Sequence, residues 1–444
     1  MTQPGETAAL PAGRLDSETY LYSKAHAHWA LFVFSMLMLF DYIDRQILAS
    51  LLPFIKAEWA LSDTQLGALV AAVNVAIAIL ALPTAVWADK WSRTKSAGVM
   101  AVVWSLATGA CALATNFWQM LAARFVIGAG EAGYTAAGNS MIAAVYPKRQ
   151  RSTMIGVFQS VALFGSVVGV VLGGIIGTRL GWRYAFGLVA LPGILFAILL
   201  FFVRDYDNVP APASAGSMAG AAPWTTYVTE MFRKPVLWFI YLGSAIQFFV
   251  IGTVGNWMPS FFNRVYGLPV EQAGVRTGVF VLCSALGVIA GGWFADRLIA
   301  KNPNRRLSLP AMFSALTAAL FIAAFSQQPG PLQMALMYAG AFVMVAILSP
   351  VITVIQELTP PAMRSTSTGA MVTCNNLFGM ALGPLVLGIV SDQTNLATAM
   401  LLISFVPLLA ALAFLKAMPM VARELDAMRP GGGFGVTSSR AATP

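Results

Sequence analysis

Long apolar stretches separated by short polar punctuation run along this chain, each near the ~20 residues that a helix needs to cross ~30 Å of hydrocarbon. The pattern predicts twelve helices, at 29–53, 63–88, 95–115, 117–145, 153–178, 182–203, 235–262, 272–298, 307–326, 331–357, 366–392 and 395–418. The expected organisation is an all-α membrane protein. A polar segment, 1–28, precedes a six-helix bundle over 29–203. A linker over 204–232, marked by Pro210, Pro212 and Pro223, joins it to a second bundle over 235–418, and a polar tail follows at 419–444. Segment 1–28 lacks the basic-then-apolar pattern of a cleaved signal, so the first helix is expected to be retained.

The two bundles repeat each other. Leu61, Gln65, Gly67, Ala88 and Asp89 recur as Leu268, Gln272, Gly274, Ala295 and Asp296, each displaced by 207. Arg151-Ser152-Thr153 and Gly156 recur as Arg364-Ser365-Thr366 and Gly369 at 213, and Gly165, Gly169 and Gly174 match Gly379, Gly383 and Gly388 at 214. An ordered series of this kind marks a six-helix unit used twice, the construction of transporters whose site lies at the repeat interface.

Composition agrees with the membrane reading. Of 444 residues 58% are hydrophobic and 10% charged, and mean hydropathy is +0.73, where a water-facing surface needs far more charge. The net charge of +9 reflects topology rather than nucleic-acid binding. With the N-terminus inside, Lys56, Arg179, Arg183, Arg264 and Arg276 lie outside, Arg45 and Arg124 within helices, and the remaining basic residues in the cytoplasm. Both termini are therefore expected in the cytoplasm of a cell whose inner (plasma) membrane holds the chain. Cys111, Cys283 and Cys374 read as packing residues, with no metal cluster and no cofactor expected. No Ser/His or Cys/His pair and no phosphate loop points to an enzyme. His26 and His28 precede the first helix and are expected to take no part in an intramembrane relay.

Five charges stand inside apolar stretches: Asp41, Asp44 and Arg45 in the first helix, Arg124 and Glu131 in the fourth. Each costs ~2.5–3.5 kcal/mol or more on insertion scales and persists where it is paired and useful. Three acids against two arginines leave one negative charge, which a single captured proton would neutralise. Asp41 and Arg45 are i,i+4 neighbours and can pair within their helix. At 1.5 Å per residue Asp41 falls about 18 Å and Arg45 about 24 Å from the inner end, while Arg124 falls about 10 Å and Glu131 about 21 Å from the outer end. Arg124 is thus expected level with the Asp41–Arg45 region and Glu131 deeper toward the cytoplasm. Asp41 is the first choice for a proton carrier, Glu131 the second, with Asp44 beside them. A static network that sets helix registry is the other reading of the same charges.

Two motifs resemble a known superfamily. Ala85-x-x-x-Asp89-Lys90-x-x-Arg93, with a weaker copy at Gly292-x-x-x-Asp296-Arg297, resembles the G-x-x-x-D-R/K-x-x-R/K signature of the major facilitator superfamily. The resemblance implies that Asp89, Lys90, Arg93, Asp296 and Arg297 help to hold a cytoplasmic gate. Arg124-x-x-x-Gly128-x-Gly130 resembles the R-x-x-x-G-x-G motif of proton-coupled members. Gly165, Gly169, Gly173 and Gly177 form a small-residue stripe for close helix packing. The stripe also resembles an antiporter motif, with Val170 in place of its proline.

Asp41-Tyr42-Ile43-Asp44-Arg45 with Arg124-x-x-x-Gly128-x-Gly130-Glu131-Ala132-x-Tyr134 resembles the Spinster family, which shows Y-x-D-R in helix 1 and R-x-x-x-G-x-G-E-A-x-Y in helix 4. Animal members often carry Asn where Asp41 stands. The resemblance implies proton-coupled secondary transport by alternating access of an amphiphile of lysophospholipid or sphingoid type. Its head would meet Arg45 and Arg124, with Tyr42 and Tyr134 nearby. The anion:cation symporter family is also similar, and there the two arginines would grip the carboxylate of a sugar acid or aromatic acid. Second-half candidates for the cavity are Gln247, Asn256, Trp257, Asn375, Asn376 and Phe378. A non-transporting membrane sensor of the same fold is a further reading. The expected partners are a small-molecule or lipid substrate, protons and membrane lipids, with the chain acting as a monomer.

Overall fold

The computed structural model describes residues 19–205, 235–301, 307–359 and 364–427. The expected N-terminal segment, linker and tail fall mostly outside the described residues, as do the side chains of Asp89, Lys90 and Asp296. Within the described residues the chain is helical, and its helices group into twelve spans in the expected order. In the first half these are α1 (Lys24–Trp59), α2 (Asp63–Lys90), α3 (Arg93–Leu113), α4 (Phe117–Glu131 and Tyr134–Val145), α5 (Lys148–Arg179) and α6 (Trp182–Leu200). In the second half they are α7 (Pro235–Val265), α8 (Val270–Lys301), α9 (Ser308–Phe325) and α10 (Pro331–Met344 and Leu348–Leu358). The last two are α11 (Arg364–Cys374, a π-helical Asn375–Ala381, then Leu382–Gln393) and α12 (Leu396–Ile403 and Val406–Ala427).

Several ends differ from the hydropathy pattern because local chemistry sets them. α1 starts at Lys24, where the Ser23 side chain accepts from the His26 N–H, so His26 and His28 belong to its first turns. It runs on to Trp59 and stops at Ala60, the one non-glycine residue with positive φ (50°) among those described. Ser62 and Gln65 then form a reciprocal capping box that starts α2. α12 continues past Met418 to Ala427, since Val421-Ala-Arg-Glu-Leu-Asp-Ala is built from good helix formers. α4 is broken rather than continuous: the Gly128, Gly130 and Gly133 run weakens it, and Gly133 caps its second segment without a side-chain bond.

Among the described residues ten helices are long and apolar enough to cross a membrane. The spans absent from that set are α1 and α4, the two that carry the ionic cluster.

The repeat is visible in the packing. α1 packs on α5, α2 on α4 and α3 on α6; six helices later α7 packs on α11, α8 on α10 and α9 on α12. The halves join along two equivalent seams, α2 against α11 and α5 against α8. Glycine allows these close approaches. A Cβ on Gly169 of α5 would lie 2.7 Å from the Ile43 carbonyl oxygen of α1, and one on Gly173 would lie 3.0 Å from that of Ile47. At the α5–α8 seam, a Cβ on Gly274 would lie 2.9 Å from the Val170 carbonyl oxygen. The glycine stripe is thus the face that lets α5 touch the backbone of α1 alongside the buried acids.

Gly156, on the same helix, has nothing within 4 Å of where its Cβ would be. Gly156→Ala should therefore leave the thermal unfolding midpoint unchanged or raise it, through a gain in helix propensity of up to ~1 kcal/mol. Gly169→Ala should lower the midpoint, because overpacking costs about 1–3 kcal/mol. Equal midpoints in detergent for the two variants would contradict the close-packing role.

Candidate functional site

α1 delivers its acids to two different partners. Asp41 and Arg45, one turn apart, pair within the helix, with Arg45 Nε 2.9 Å from Asp41 Oδ1. From α4, Glu131 reaches the other edge of the same guanidinium, Oε2 lying 2.8 Å from Arg45 Nη2. Asp44 faces away from this triad toward Arg124, whose Nη1 is 3.6 Å from Asp44 Oδ2.

The single excess charge is thereby localised. Asp44 and Arg124 balance each other, while Asp41, Arg45 and Glu131 carry the net negative charge. Two carboxylates against one guanidinium are one proton short of neutrality, and a proton shared between them restores it.

This arrangement corrects the depths inferred from helix ends. Arg124 is level with the Asp41–Arg45 region, as expected, and pairs there with Asp44, but Glu131 is not deeper: it is the residue that meets Arg45. The earlier positions assumed that α1 begins at the membrane surface near Trp29, whereas it begins at Lys24. They also took α4 as one straight rod, whereas its first segment ends at Glu131. That break places the Glu131 carboxylate at a helix end beside Arg45.

The two arginines differ in access. The Arg45 side chain is 25% exposed and stands 5.4 Å from the Tyr42 ring, whereas Arg124 is 1% exposed and stands over the Phe186 ring of α6 at 5.1 Å. Arg45 can therefore meet a solute, and Arg124 is sealed inside the first half. Tyr134 is also buried: its hydroxyl donates to the Phe34 carbonyl of α1, and its ring stacks on Phe34 at 6.0 Å. It ties the segment after the α4 break to α1.

In the second half most candidate side chains serve the frame. Asn256 donates to the Gly252 carbonyl of its own helix, and Gln247 donates to the Met344 carbonyl of α10. Trp257 is fully buried and donates to the Pro384 carbonyl, linking α7 to α11. Asn375 opens the π-helical turn of α11 and is buried; the next residue, Asn376, is half-buried and donates to the Val372 carbonyl. Phe378, in the same turn, is 54% exposed. Among the gate residues with described side chains, Arg297 lies 3.7 Å over the Trp293 ring and Arg93 begins α3.

One cluster escaped the sequence reading. At the end of the molecule that carries the α1–α2 turn, the buried Asp63 carboxylate accepts from Lys56 Nζ of α1, from Arg264 Nη1 of α7 at 2.7 and 2.9 Å, and from Ser391 Oγ of α11 at 2.6 Å. Asp392 in turn accepts from the Asp63 and Thr64 N–H groups, at 2.7 and 2.8 Å, and from the Thr64 hydroxyl. Six polar side chains from α1, α2, α7 and α11 thus close the α2–α11 seam. The available signal was weak: an acid next to a capping serine, and basic residues assigned to the outside by count alone.

With this geometry in view, comparison with known proteins is informative. Residues 34–384 match the Major Facilitator Superfamily. A hexuronate transporter of Bacillus subtilis is 29% identical over 89% of this chain and 95% of its own. A probable sphingolipid transporter, spinster homolog 3 of Arabidopsis thaliana, is 26% identical over 87% of this chain and 84% of its own. Among solved structures, a bacterial homolog of the human lysosomal transporter Spinster, in an inward-facing and occupied conformation, superposes with a TM-score of 0.80. It shares 22% identity and covers 91% of this chain and 99% of its own, which establishes likeness of fold. These relatives are transporters, not enzymes, and the chain belongs to the Major Facilitator Superfamily.

Proposed function

We propose that this protein is a proton-coupled secondary transporter that works by alternating access on a substrate with an acidic head and an apolar body. The observation that carries the reading is the sharing of Arg45 between Asp41 and Glu131. When both acids are ionised they hold the guanidinium between them. A proton captured by the pair removes one of its counter-charges and leaves Arg45, the exposed member, able to pair with a substrate anion. Proton binding and anion binding then favour each other, and by linkage the coupling is reciprocal. Asp44 and Arg124, sealed behind the triad, act as a neutral support; Arg124 serves the substrate indirectly rather than as a ligand.

An amphiphile fits the second-half candidates, whose polar side chains are buried or half-buried among the described residues. Gln247, Asn256 and Asn375 are buried, with Gln247 and Asn256 donating to backbone carbonyls, while the exposed Phe378 offers an apolar surface. A sugar acid is the second reading, supported by the Bacillus subtilis hexuronate transporter at 29% identity. The distribution of basic residues supports an inner-membrane protein with both termini in the cytoplasm. The α1–α2 turn then faces outward, and Asp89, Lys90, Arg93, Asp296 and Arg297 lie at the cytoplasmic gate. The internal repeat supplies both halves of the cavity in one chain, so a monomer suffices and no cofactor is needed.

In proteoliposomes, flux should depend on an imposed pH gradient, and Asp41→Asn or Glu131→Gln should abolish that dependence while leaving counterflow of substrate. Gradient-independent flux of equal rate in wild type and both variants would sink the proton role. A thermal-shift panel of lysolipids, hexuronates and aromatic acids separates the substrate readings, since a ligand of the folded state raises its midpoint. Lysolipids should stabilise the wild type and not Arg45→Ala. If hexuronates alone stabilise it, the sugar-acid reading replaces the amphiphile.

A further inference from the structure

The cluster around Asp63 has the chemistry of a carboxylate receptor. Its donors come from elsewhere in the fold: Lys56 Nζ from the end of α1, Arg264 Nη1 from the end of α7 and Ser391 Oγ from α11. They converge on one carboxylate that is almost entirely buried. The Arg264 guanidinium is further held 5.8 Å over the Trp257 ring, and Trp257 is fastened to α11 through the Pro384 carbonyl. The receptor is thus assembled by both halves, while the carboxylate it holds belongs to the first residue of α2.

The site is also approachable. A cavity of about 310 Å³ opens beside it, lined on its polar side by Asp63, Arg264, Ser391 and Asn395 and on its apolar side by Val265, Leu396 and Ala397. A charged end and an apolar wall in one cavity match an acid with a hydrocarbon or sugar body.

We propose that this outer cluster is an anion-exchange lock: a carboxylate-binding site held by the chain's own Asp63, into which the acid group of an incoming substrate enters in its place. The reasoning is electrostatic. Pulling Asp63 away from Lys56 and Arg264 with nothing in exchange leaves two half-buried cations without their counter-charge, which is unfavourable. An acid that replaces Asp63 keeps Lys56 and Arg264 paired while the Asp63 side chain parts from Arg264 of α7 and Ser391 of α11, so opening the outer seam costs less when substrate is present. Asp392 of α11 still accepts from the Asp63 and Thr64 N–H groups and the Thr64 hydroxyl; it tethers the start of α2 while the side chain exchanges and parts from it last, as the seam opens. Among the described residues the second seam has an exposed counterpart, Arg179 to Glu271 at 3.5 Å, so exchange at Asp63 acts on the more deeply buried of the two ion pairs. The proposal rests on the acidic-substrate reading above and assigns that substrate a first docking point outside the central triad.

The test is chemical rescue in the purified full chain, read by thermal unfolding at constant ionic strength and pH, with no gradient and no flux. Asp63→Ala should lower the midpoint, and formate should restore it by several degrees while leaving wild type unmoved. The rescue should vanish in Asp63→Ala/Arg264→Gln. Decanoate or glucuronate should rescue at lower concentration than formate, because each also fills the cavity. An equal response to formate in all three proteins overturns the receptor, and larger acids no better than formate overturn its role for substrate. Asp63→Asn serves if the alanine variant does not purify: it must then be stabilised by carboxylate more than wild type is, and an equal response again overturns the proposal. The assay does not involve Asp41 or Glu131, so its failure and the failure of proton coupling are separate results.

Discussion

A guanidinium between two carboxylates, in the middle of a bundle otherwise made of apolar side chains, is the interaction on which the rest of this molecule turns. Arg45 is held on one side by Asp41 of its own helix and on the other by Glu131 of α4. Buried charge in α1 and α4, and the break in α4, leave both dependent on their neighbours. α1 is embraced by the glycine face of α5, against which the Ile43 and Ile47 backbone lies directly, and the first segment of α4 packs its own glycines on α2 and α3. Close backbone packing and buried charge are therefore one design. Only a well-fitted sleeve can hold five ionic side chains away from lipid while leaving one of them within reach of a solute.

The first half carries this chemistry and the second half answers with shape. Arg124 and Asp44 form a sealed, balanced pair behind the triad, and Tyr134 ties the far side of the α4 break to α1. Across the seam, Asn256 bonds within α7, while Gln247 and Trp257 fasten α7 to α10 and α11. A cavity wall built this way is rigid and nearly uncharged. The repeat duplicates the fold while the ionic cluster of Asp41, Asp44, Arg45, Arg124 and Glu131 stays in one copy.

Much of the fold was legible from sequence because hydropathy reports burial in lipid directly, and because spacing along a helix survives whatever the helix packs on. The twelve spans, the repeat and the Asp41–Arg45 pair all follow from positions close together in the chain. Pairings between helices were less accessible. Whether Arg124 meets Asp41 or Asp44 depends on where α1 starts and where α4 breaks, and an error of one turn at either end moves a side chain by about 5 Å. The Asp63 cluster lay further out of reach: its members are drawn from α1, α2, α7 and α11, and no local pattern links Lys56 and Asp63 to Arg264 or Ser391. Charge counts had placed Lys56 and Arg264 on the outer side without giving them anything to hold.

The π-helical turn at Asn375–Ala381 also explains a small irregularity in the repeat. Ahead of it, Arg364 and Gly369 stand 213 positions after their first-half counterparts Arg151 and Gly156; within it Gly379, and beyond it Gly383 and Gly388, stand 214 positions after theirs. The second copy has one residue more between those markers, and a π-turn is the form in which a helix stores a single extra residue without shifting what lies on either side. Gly379 still meets the α7 backbone at Ala245, and Gly383 still meets it at Phe249. The insertion is thus absorbed in place rather than passed along the helix. It gives α11 a local bulge, absent from its twin α5, at the turn that carries Asn376 and Phe378. Duplication made two equal copies, and one inserted residue is enough to let their inner surfaces diverge while the seams between them stay in register.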